Sequence, residues 1–372
     1  MSKELQKFRK KIDEIDDQII KMLSERIKIV EEIAKIKEKY RLSTVDKPRE
    51  IEVLEKNESL AEKTGLGGAF IRELWKKIME YSTSREDLLR GKRSRVAFLG
   101  PRGTFTEEAA HKFSLNISSE FIPINTIEGI IRGIEKGRFD YGVIPIENSV
   151  EGSVTATLDL LAEAGENAKI CAEVILPVIH FLVAKEKIEF EEIAEVYSHP
   201  HALAQCRSFI TKNLPHTKLV DTYSTADAAK KVAMNEEINI AAICSKYAGQ
   251  LYNLTILAEN IQDLKINATR FAILANQDEE TIKPSEIYKT SIVLYLLENR
   301  PGALHDVLKE FATRQIDLTR IESRPTKKTM GDYLFYFDII GHRKETIVKE
   351  ALEGVKKYVG ELKILGSFKR VS

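Results

Sequence analysis

Cysteine is scarce in this chain: Cys171, Cys206 and Cys244 are isolated and odd in number. Such a count gives no disulfide framework, and no pair has the spacing of a metal site. The sequence therefore reads as a cytoplasmic protein with reduced thiols and no metal. A surplus of either charge is also missing, with 57 basic against 57 acidic residues. A protein that neutralises nucleic-acid phosphates needs a basic surplus, so nucleic acid is not an expected partner. No apolar run is long enough to span a bilayer, and Met1 to Lys11 is charged, without an apolar signal region. Neither glycine nor proline occurs before Pro48, so nothing in that stretch breaks a helix.

What is present falls into three textures, enough for two or three domains in 372 residues. Residues 1–91 read as helical. Leu5, Phe8, Ile12, Ile15, Ile19, Leu23, Ile27, Val30 and Ile33 recur in steps of three and four, the mark of one long amphipathic helix. Its length exceeds the globular norm, so the apolar seam is expected to pack on a partner chain. Asp46 and Pro48 suit the cap and first turn of a second helix. The segment Lys63-Thr64-Gly65-Leu66-Gly67-Gly68 breaks it, and a third helix runs from Ala69 to Leu89. After a linker at 91–94, short β-rich runs alternate with helical ones over 95–277, the pattern of α/β sheets with helices on both faces. Such a stretch has room for two lobes and a cleft at the strand ends. After a second linker at 282–285, residues 287–372 read βαββαβ, a ferredoxin-like unit.

On the first helix, Arg26 and Lys37 are eleven residues apart and share a face. Arg9 lies about 25 Å from Arg26 along the axis, so the two reach one small molecule only if a second, antiparallel copy supplies one of them. A coiled-coil seam edged by snorkelling cations shows the same periodicity. The run Phe8-Arg9-Lys10-Lys11-Ile12-Asp13, then Leu23-Ser24-Glu25-Arg26, Lys37 and Asp46-Lys47-Pro48-Arg49-Glu50 resembles the all-helical chorismate mutase family. That resemblance implies a swapped dimer whose active site takes Arg9 from one chain and Arg26, Lys37, Asp46, Arg49, Glu50, Ser82 and Glu86 from the other. The residue types suit the chemistry. Guanidinium forks hold the two carboxylates of chorismate. The pericyclic rearrangement needs a frozen conformer and a positive group at the ether oxygen rather than a base. Lys37 fits that last role, and Glu50 fits as acceptor for the ring hydroxyl. At position 86 many relatives carry Gln, which donates to the ether oxygen. Glu86 is therefore expected to work in its protonated form.

Four stretches of the middle region carry a second resemblance. Val96-Ala97-Phe98-Leu99-Gly100-Pro101-Arg102-Gly103-Thr104-Phe105-Thr106 is strand, turn and helix start, with Thr106 the expected cap. Gly142-Val143-Ile144-Pro145-Ile146-Glu147-Asn148-Ser149 and Tyr197-Ser198-His199-Pro200-His201-Ala202-Leu203-Ala204-Gln205 put polar groups just past strands. Asn267-Ala268-Thr269-Arg270-Phe271 leads into a buried strand. In this order they resemble prephenate dehydratase, which implies a two-lobed fold like that of periplasmic binding proteins. It also implies an essential Thr269, and places Arg270, Thr104, Glu147, Asn148, Ser149, Ser198 and Gln205 at the substrate. Thr269 is expected to orient or relay, Arg270 to anchor a carboxylate, and Glu147 to offer a proton. The pair His199/His201 lacks a third ligand and reads as helix-entry packing rather than metal. No cofactor is expected.

The segments Gly302-Ala303-Leu304-His305 and Glu322-Ser323-Arg324-Pro325 resemble the phenylalanine-binding ACT domain, which implies an L-phenylalanine site at a homodimer interface. The combined expectation is a cytoplasmic homo-oligomer that converts chorismate to prephenate and prephenate to phenylpyruvate under phenylalanine control. Two alternatives stay open: a dehydratase with a degenerate mutase domain, and a non-catalytic aromatic-ligand sensor. Oxidation of prephenate by a dehydrogenase is excluded, since no Gly-x-Gly-x-x-Gly turn follows a strand.

Overall fold

A computed structural model describes residues 3–371 except positions 41, 45, 116, 279–281, 284, 285, 299 and 327–332. Two residues of the second linker and Asn299 thus lie outside the described residues. The chain forms two compact units, residues 1–94 with 114–120, and residues 95–113 with 121–372.

The first unit holds α1 (Lys3–Lys39), α2 (Lys47–Lys63) and α3 (Gly68–Leu89). With no breaker, α1 runs unbroken for 37 residues, about 55 Å at 1.5 Å per residue. Asp46 caps α2 by accepting from the Arg49 amide at 3.1 Å, with proline in the first turn. Val30, Ala34, Leu54, Ala61 and Ile71 are buried among the three helices. Leu5, Phe8, Ile12, Ile15 and Ile19, the first half of the seam, are exposed.

The second unit opens with β1 (Ser94–Leu99), α4 (Phe105–Phe113), β2 (Ser119–Ile124), α5 (Ile127–Glu135), β3 (Tyr141–Asn148), β4 (Gly152–Ser153), α6 (Thr155–Glu163) and β5 (Lys169–Pro177). It continues with β6 (Phe181–Ala184), β7 (Glu195–Ser198), α7 (Pro200–Gln205), α8 (Arg207–Asn213), β8 (Lys218–Asp221), α9 (Thr225–Met234), β9 (Ile240–Cys244), α10 (Lys246–Leu251), β10 (Thr255–Ala258) and β11 (Ala268–Ala275). Two sheets result. The first has the order β2-β1-β3-β11-β5, with β4 paired to β3; the second has the order β10-β6-β9-β7-β8. The chain leaves the first lobe after β5 and returns to it at β11, which lies antiparallel between β3 and β5. Apolar strands such as Ile240–Cys244 are buried throughout because helices cover both faces.

Strand β2 carries Pro123 and is half-exposed, and β5 is interrupted by Glu173, so neither reads as an apolar run. Thr106 is not the cap of α4. It is buried inside the helix, and Thr104 Oγ1 accepts from the Glu107 amide at 3.3 Å instead.

The last part contains β12 (Tyr288–Leu296), α11 (Ala303–Ala312), β13 (Leu318–Pro325), β14 (Tyr333–Ile340), α12 (Thr346–Val355) and β15 (Val359–Lys369). Their sheet order, β13-β14-β12-β15, is that of a ferredoxin-like unit. Strand parity gives this sheet two employed faces. Ile292, Leu294, Phe337 and Ile339 pack under α11 and α12. Val293, Tyr336, Leu365 and Phe368 join Leu158, Ile170 and Ala272 of the first lobe. Gly366 makes this approach possible, since a Cβ there would overlap the backbone of Ile170.

Candidate active sites

In the helical unit, four of the expected residues converge. Arg26 Nη1 donates to Ser82 Oγ at 2.5 Å, and Ser82 Oγ donates to the Ile78 carbonyl. Lys37 Nζ reaches Glu86 Oε2 at 2.9 Å and the Thr44 carbonyl at 2.7 Å. Ser82 and Glu86 are one turn apart on α3 and face Arg26 and Lys37, three turns apart on α1. The pairing is enclosed, with side chains 18% and 9% exposed for Lys37 and Glu86. Burial lowers the pKa of Arg26 from its ordinary value. Asp46 is spent on capping α2, and Arg49 pairs with Glu52 at 2.7 Å in solvent. Glu50 lies in the first turn of α2. Arg9 is exposed near the start of α1.

In the second unit, register decides which residues meet. Thr269 lies opposite Asn148, and Arg270 opposite Glu147. Successive strand residues point to opposite faces, so the first pair faces one way and the second pair the other. On the first face, Asn148 Nδ2 donates to Thr269 Oγ1 and to Asn267 Oδ1, both at 2.9 Å. Asn148 Oδ1 accepts from the amides of Val150 and Glu151, which fixes the turn after β3. Ser149 Oγ accepts from the Ala268 amide at 2.9 Å.

The second lobe contributes Gln205. Its Oε1 meets His180 Nε2 at 2.9 Å and Asn267 Nδ2 at 3.4 Å. Its Nε2 donates to Glu151 Oε1 at 3.1 Å, and His201 Nδ1 meets the same oxygen at 2.7 Å. A pocket of about 480 Å³ opens here, lined by Val150, Glu151, His201, Gln205, Leu264 and Asn267 among others. Burial pushes the His180 pKa below its usual value, against the pull of the Gln205 bond. The buried Nδ1 has no partner among the described residues, so a neutral imidazole with its proton on Nε2 satisfies the Gln205 oxygen. Asn267, His180, Glu151 and His201 were not among the expected site residues. Asn267 was readable, since it lies two residues before Thr269 and shares its face.

Ser198 is fully buried and donates to the Ile243 carbonyl at 2.7 Å. Thr104 donates to the Leu99 carbonyl and shapes the turn before α4. His199 Nδ1 accepts from the His201 amide at the start of α7, and no group of metal-binding side chains occurs among the described residues.

Arg270 does not face Thr269, although the resemblance places both at the substrate. Its Nε and Nη2 hold Glu147 Oε2 at 3.2 and 2.9 Å, and its Nη1 reaches Asp338 at 2.8 Å and Glu173 at 3.3 Å. Burial opposes its charge, but Asp338, Glu173 and Glu147 outweigh that and raise its pKa. Glu147 likewise lies on the face away from Thr269, as an ion-pair partner of Arg270.

The expected effector residues also divide by parity. Gly302 takes a left-handed φ of 83° as it enters α11, a conformation glycine adopts freely. Ala303 is buried, Leu304 half-buried and His305 exposed. On β13, Ser323 and Pro325 are exposed. Glu322 and Arg324 point to the first lobe, where Glu322 accepts from Ser153 and Arg324 approaches Asp159 at 3.4 Å.

Comparison with known proteins decides the family. Models described as chorismate mutase type II, prephenate dehydratase and ACT domain match residues 8–87, 96–279 and 291–356. The bifunctional chorismate mutase/prephenate dehydratase of Aquifex aeolicus is 41% identical, covering 98% of both chains. This chain belongs to the bifunctional chorismate mutase/prephenate dehydratase family. The bifunctional enzyme of Stutzerimonas stutzeri is 38% identical over 98% of this chain and 97% of its own. Among solved structures, the prephenate dehydratase of Arthrobacter aurescens in complex with L-Phe is 36% identical with a TM-score of 0.68, covering 74% of this chain and 90% of that one. The helical unit, the two-lobed α/β region and the C-terminal ferredoxin-like unit are the parts that this family joins in one polypeptide.

Proposed function

We propose that this enzyme converts chorismate to prephenate in its helical unit and prephenate to phenylpyruvate, carbon dioxide and water in its two-lobed region, with feedback inhibition by L-phenylalanine through its C-terminal domain. The observation that carries the reading is the presence, in one chain of this family, of two separate polar clusters: Arg26-Lys37-Ser82-Glu86, and Asn148-Thr269-Asn267-Gln205. We read the three parts as residues 1–91, 95–277 and 287–372.

For the first step, Arg26 binds a chorismate carboxylate and Lys37 leaves Glu86 to meet the ether oxygen as its negative charge grows. Glu86, protonated in the complex, donates to the same oxygen, and Glu50 accepts from the ring hydroxyl. Arg49 turns from Glu52 to the substrate, and Asp46 holds the start of α2. We place this site in a homodimer. The exposed apolar seam of α1 suits a second copy running antiparallel, which brings that copy's Arg9 to the site and hides the seam.

For the second step, the bond from ring to carboxylate breaks and releases CO₂. Its electron pair aromatises the ring as the ring hydroxyl departs, taking a proton to leave as water. Asn148 donates to Thr269 Oγ1, so the threonine's own proton is available to hydrogen-bond the departing hydroxyl. Gln205, held by His180 and Asn267, closes the site from the second lobe. Neither step calls for a cofactor, and buried thiols such as Cys206 suit the cytoplasm. Incubation of the purified chain with chorismate alone, with and without phenylalanine, tests the whole reading. Prephenate must appear and then decay to phenylpyruvate, and phenylalanine must slow the decay; no loss of chorismate or prephenate would refute it.

A further inference from the structure

The first lobe and the C-terminal sheet meet around a cluster of ions, buried except for the half-exposed Glu147, that none of the proposed chemistry uses. Arg270 joins Glu147, Glu173 and Asp338. Lys289 Nζ holds both oxygens of Glu173 at 2.8 and 2.9 Å. Ser291 Oγ donates to Asp338 Oδ1 at 2.5 Å. Arg320 reaches Ser153 Oγ at 2.6 Å, Glu322, and Glu147 at 4.0 Å. The side chains of Glu173 and Asp338 are 2% and 4% exposed. An apolar core already joins the same two sheets, and buried ion pairs add little net stability over apolar packing. Their best-attested use is to select one arrangement among several.

The position of the cluster says which arrangement. Glu147 and Arg270 are cross-strand neighbours on β3 and β11, and the next pair along the same two strands is Asn148 with Thr269. Asp338, from the C-terminal sheet, therefore grips β11 one residue from the threonine. Burial opposes the charge of Asp338, but Arg270 and the Ser291 bond overcome it and hold its pKa below the ordinary carboxylate value. The grip is thus an ionic one across the neutral range.

We propose that Asp338 is a positioning residue for the dehydratase reaction: through Arg270 it sets β11 against β3, fixes the Asn148–Thr269 pair, and forms the route by which the C-terminal domain alters the cleft. This rests on the dehydratase reading given above. Two sites are coupled when both bias one element with two arrangements, and β11 is the element that reaches both the cleft and the C-terminal sheet.

The test uses the full chain with Asp338→Asn and, as a milder change that keeps the carboxylate, Ser291→Ala. Misplacement of a catalytic group by about 1 Å costs about a hundredfold in rate. Asp338→Asn is accordingly expected to lower dehydratase kcat by at least about tenfold with KM changed less than about threefold, and Ser291→Ala to lower it less. Mutase kcat stays at the parent value, because Asp338 is no part of that site. Phenylalanine still binds by equilibrium dialysis, but its inhibition of the dehydratase weakens by about fivefold or more, an effect that loss of stability alone does not produce. If Asp338→Asn fails to fold, Ser291→Ala alone decides. Parent kcat and a full phenylalanine response in the folded variants would overturn the coupling alone. No prephenate turnover in the unaltered chain would overturn the dehydratase reading and the coupling with it.

Discussion

Glu86→Gln is the perturbation that separates a working mutase from a degenerate one. In the free enzyme Lys37 sits 2.9 Å from Glu86, and a hydrogen bond to a charged partner contributes about 1.5–3 kcal/mol. The glutamine keeps the shape, leaves Lys37 its bond to the Thr44 carbonyl, and loses part of that energy, so a modest fall in the unfolding temperature is expected. Activity has a sharper signature. A single donor aimed at a developing oxyanion is worth about 2.7–4 kcal/mol, or roughly 10²–10³ in rate. If Glu86 donates only when protonated, mutase kcat/KM declines about tenfold per pH unit on the alkaline side. The amide that replaces the carboxyl group donates at every pH, so Glu86→Gln is expected to flatten the profile. The assay follows the loss of chorismate absorbance from about pH 5 to about pH 9 in buffers of matched ionic strength. A flat parent profile, unaltered by the substitution, would refute both the donor role and the protonated form.

Thr269→Ala is expected to cut dehydratase kcat by about 10² or more while mutase kcat is unchanged, because only the cleft loses its hydroxyl; Glu147→Gln, acting from the far face, should cost less than Thr269→Ala, and the reverse order in a coupled assay would contradict the strand parity. Gly366→Ala forces a methyl onto the Ile170 backbone and is expected to destabilise the second unit by about 1–3 kcal/mol, measured by urea unfolding; an unchanged midpoint would refute the close approach. Burial lowers the pKa of both His180 and His111 in the folded state. The unfolded chain then binds more protons, so stability is full above the unfolded value of about 6.5 and is lost as pH falls through the depressed folded values. The unfolding temperature of the second unit should drop on that acid side, and His180→Asn should shrink the drop; an equal drop in both proteins would contradict the assignment to His180.

Periodicity and punctuation made much of this molecule readable. An unbroken stretch without glycine or proline announced α1, Asp46 and Pro48 marked the start of α2, and the βαββαβ order of the last part matched its sheet. Elements whose burial depends on distant packing were not readable. Strand β5 carries Glu173 in its middle, which looks like a break until Arg270 and Lys289, 97 and 116 residues later, supply its partners. The site shows the same division. Local helical spacing puts Arg26 and Lys37 on one face of α1 and Ser82 and Glu86 on one face of α3, and the two pairs meet across 56 and 49 residues of sequence. His180 gave no signal, since its role depends on Gln205 from another strand-helix turn.

Arg270 illustrates a further point about reading motifs. Adjacency in sequence suggests shared duty, and Thr269-Arg270 resembles one motif with one task. In a strand, adjacency means the reverse. The threonine and the arginine lie on opposite faces, and so do Asn148 and Glu147 on the neighbouring strand. The polar pair facing the cleft and the attachment to the C-terminal sheet thus occupy the same two residues' width of backbone. Any substitution that slides β11 by one residue would exchange the two faces, putting Arg270 into the cleft and Thr269 among three carboxylates. That exchange explains why an ionic anchor, costly to bury, is useful here: Glu147, Glu173 and Asp338 accept a guanidinium in only one register, whereas an apolar side chain would tolerate several.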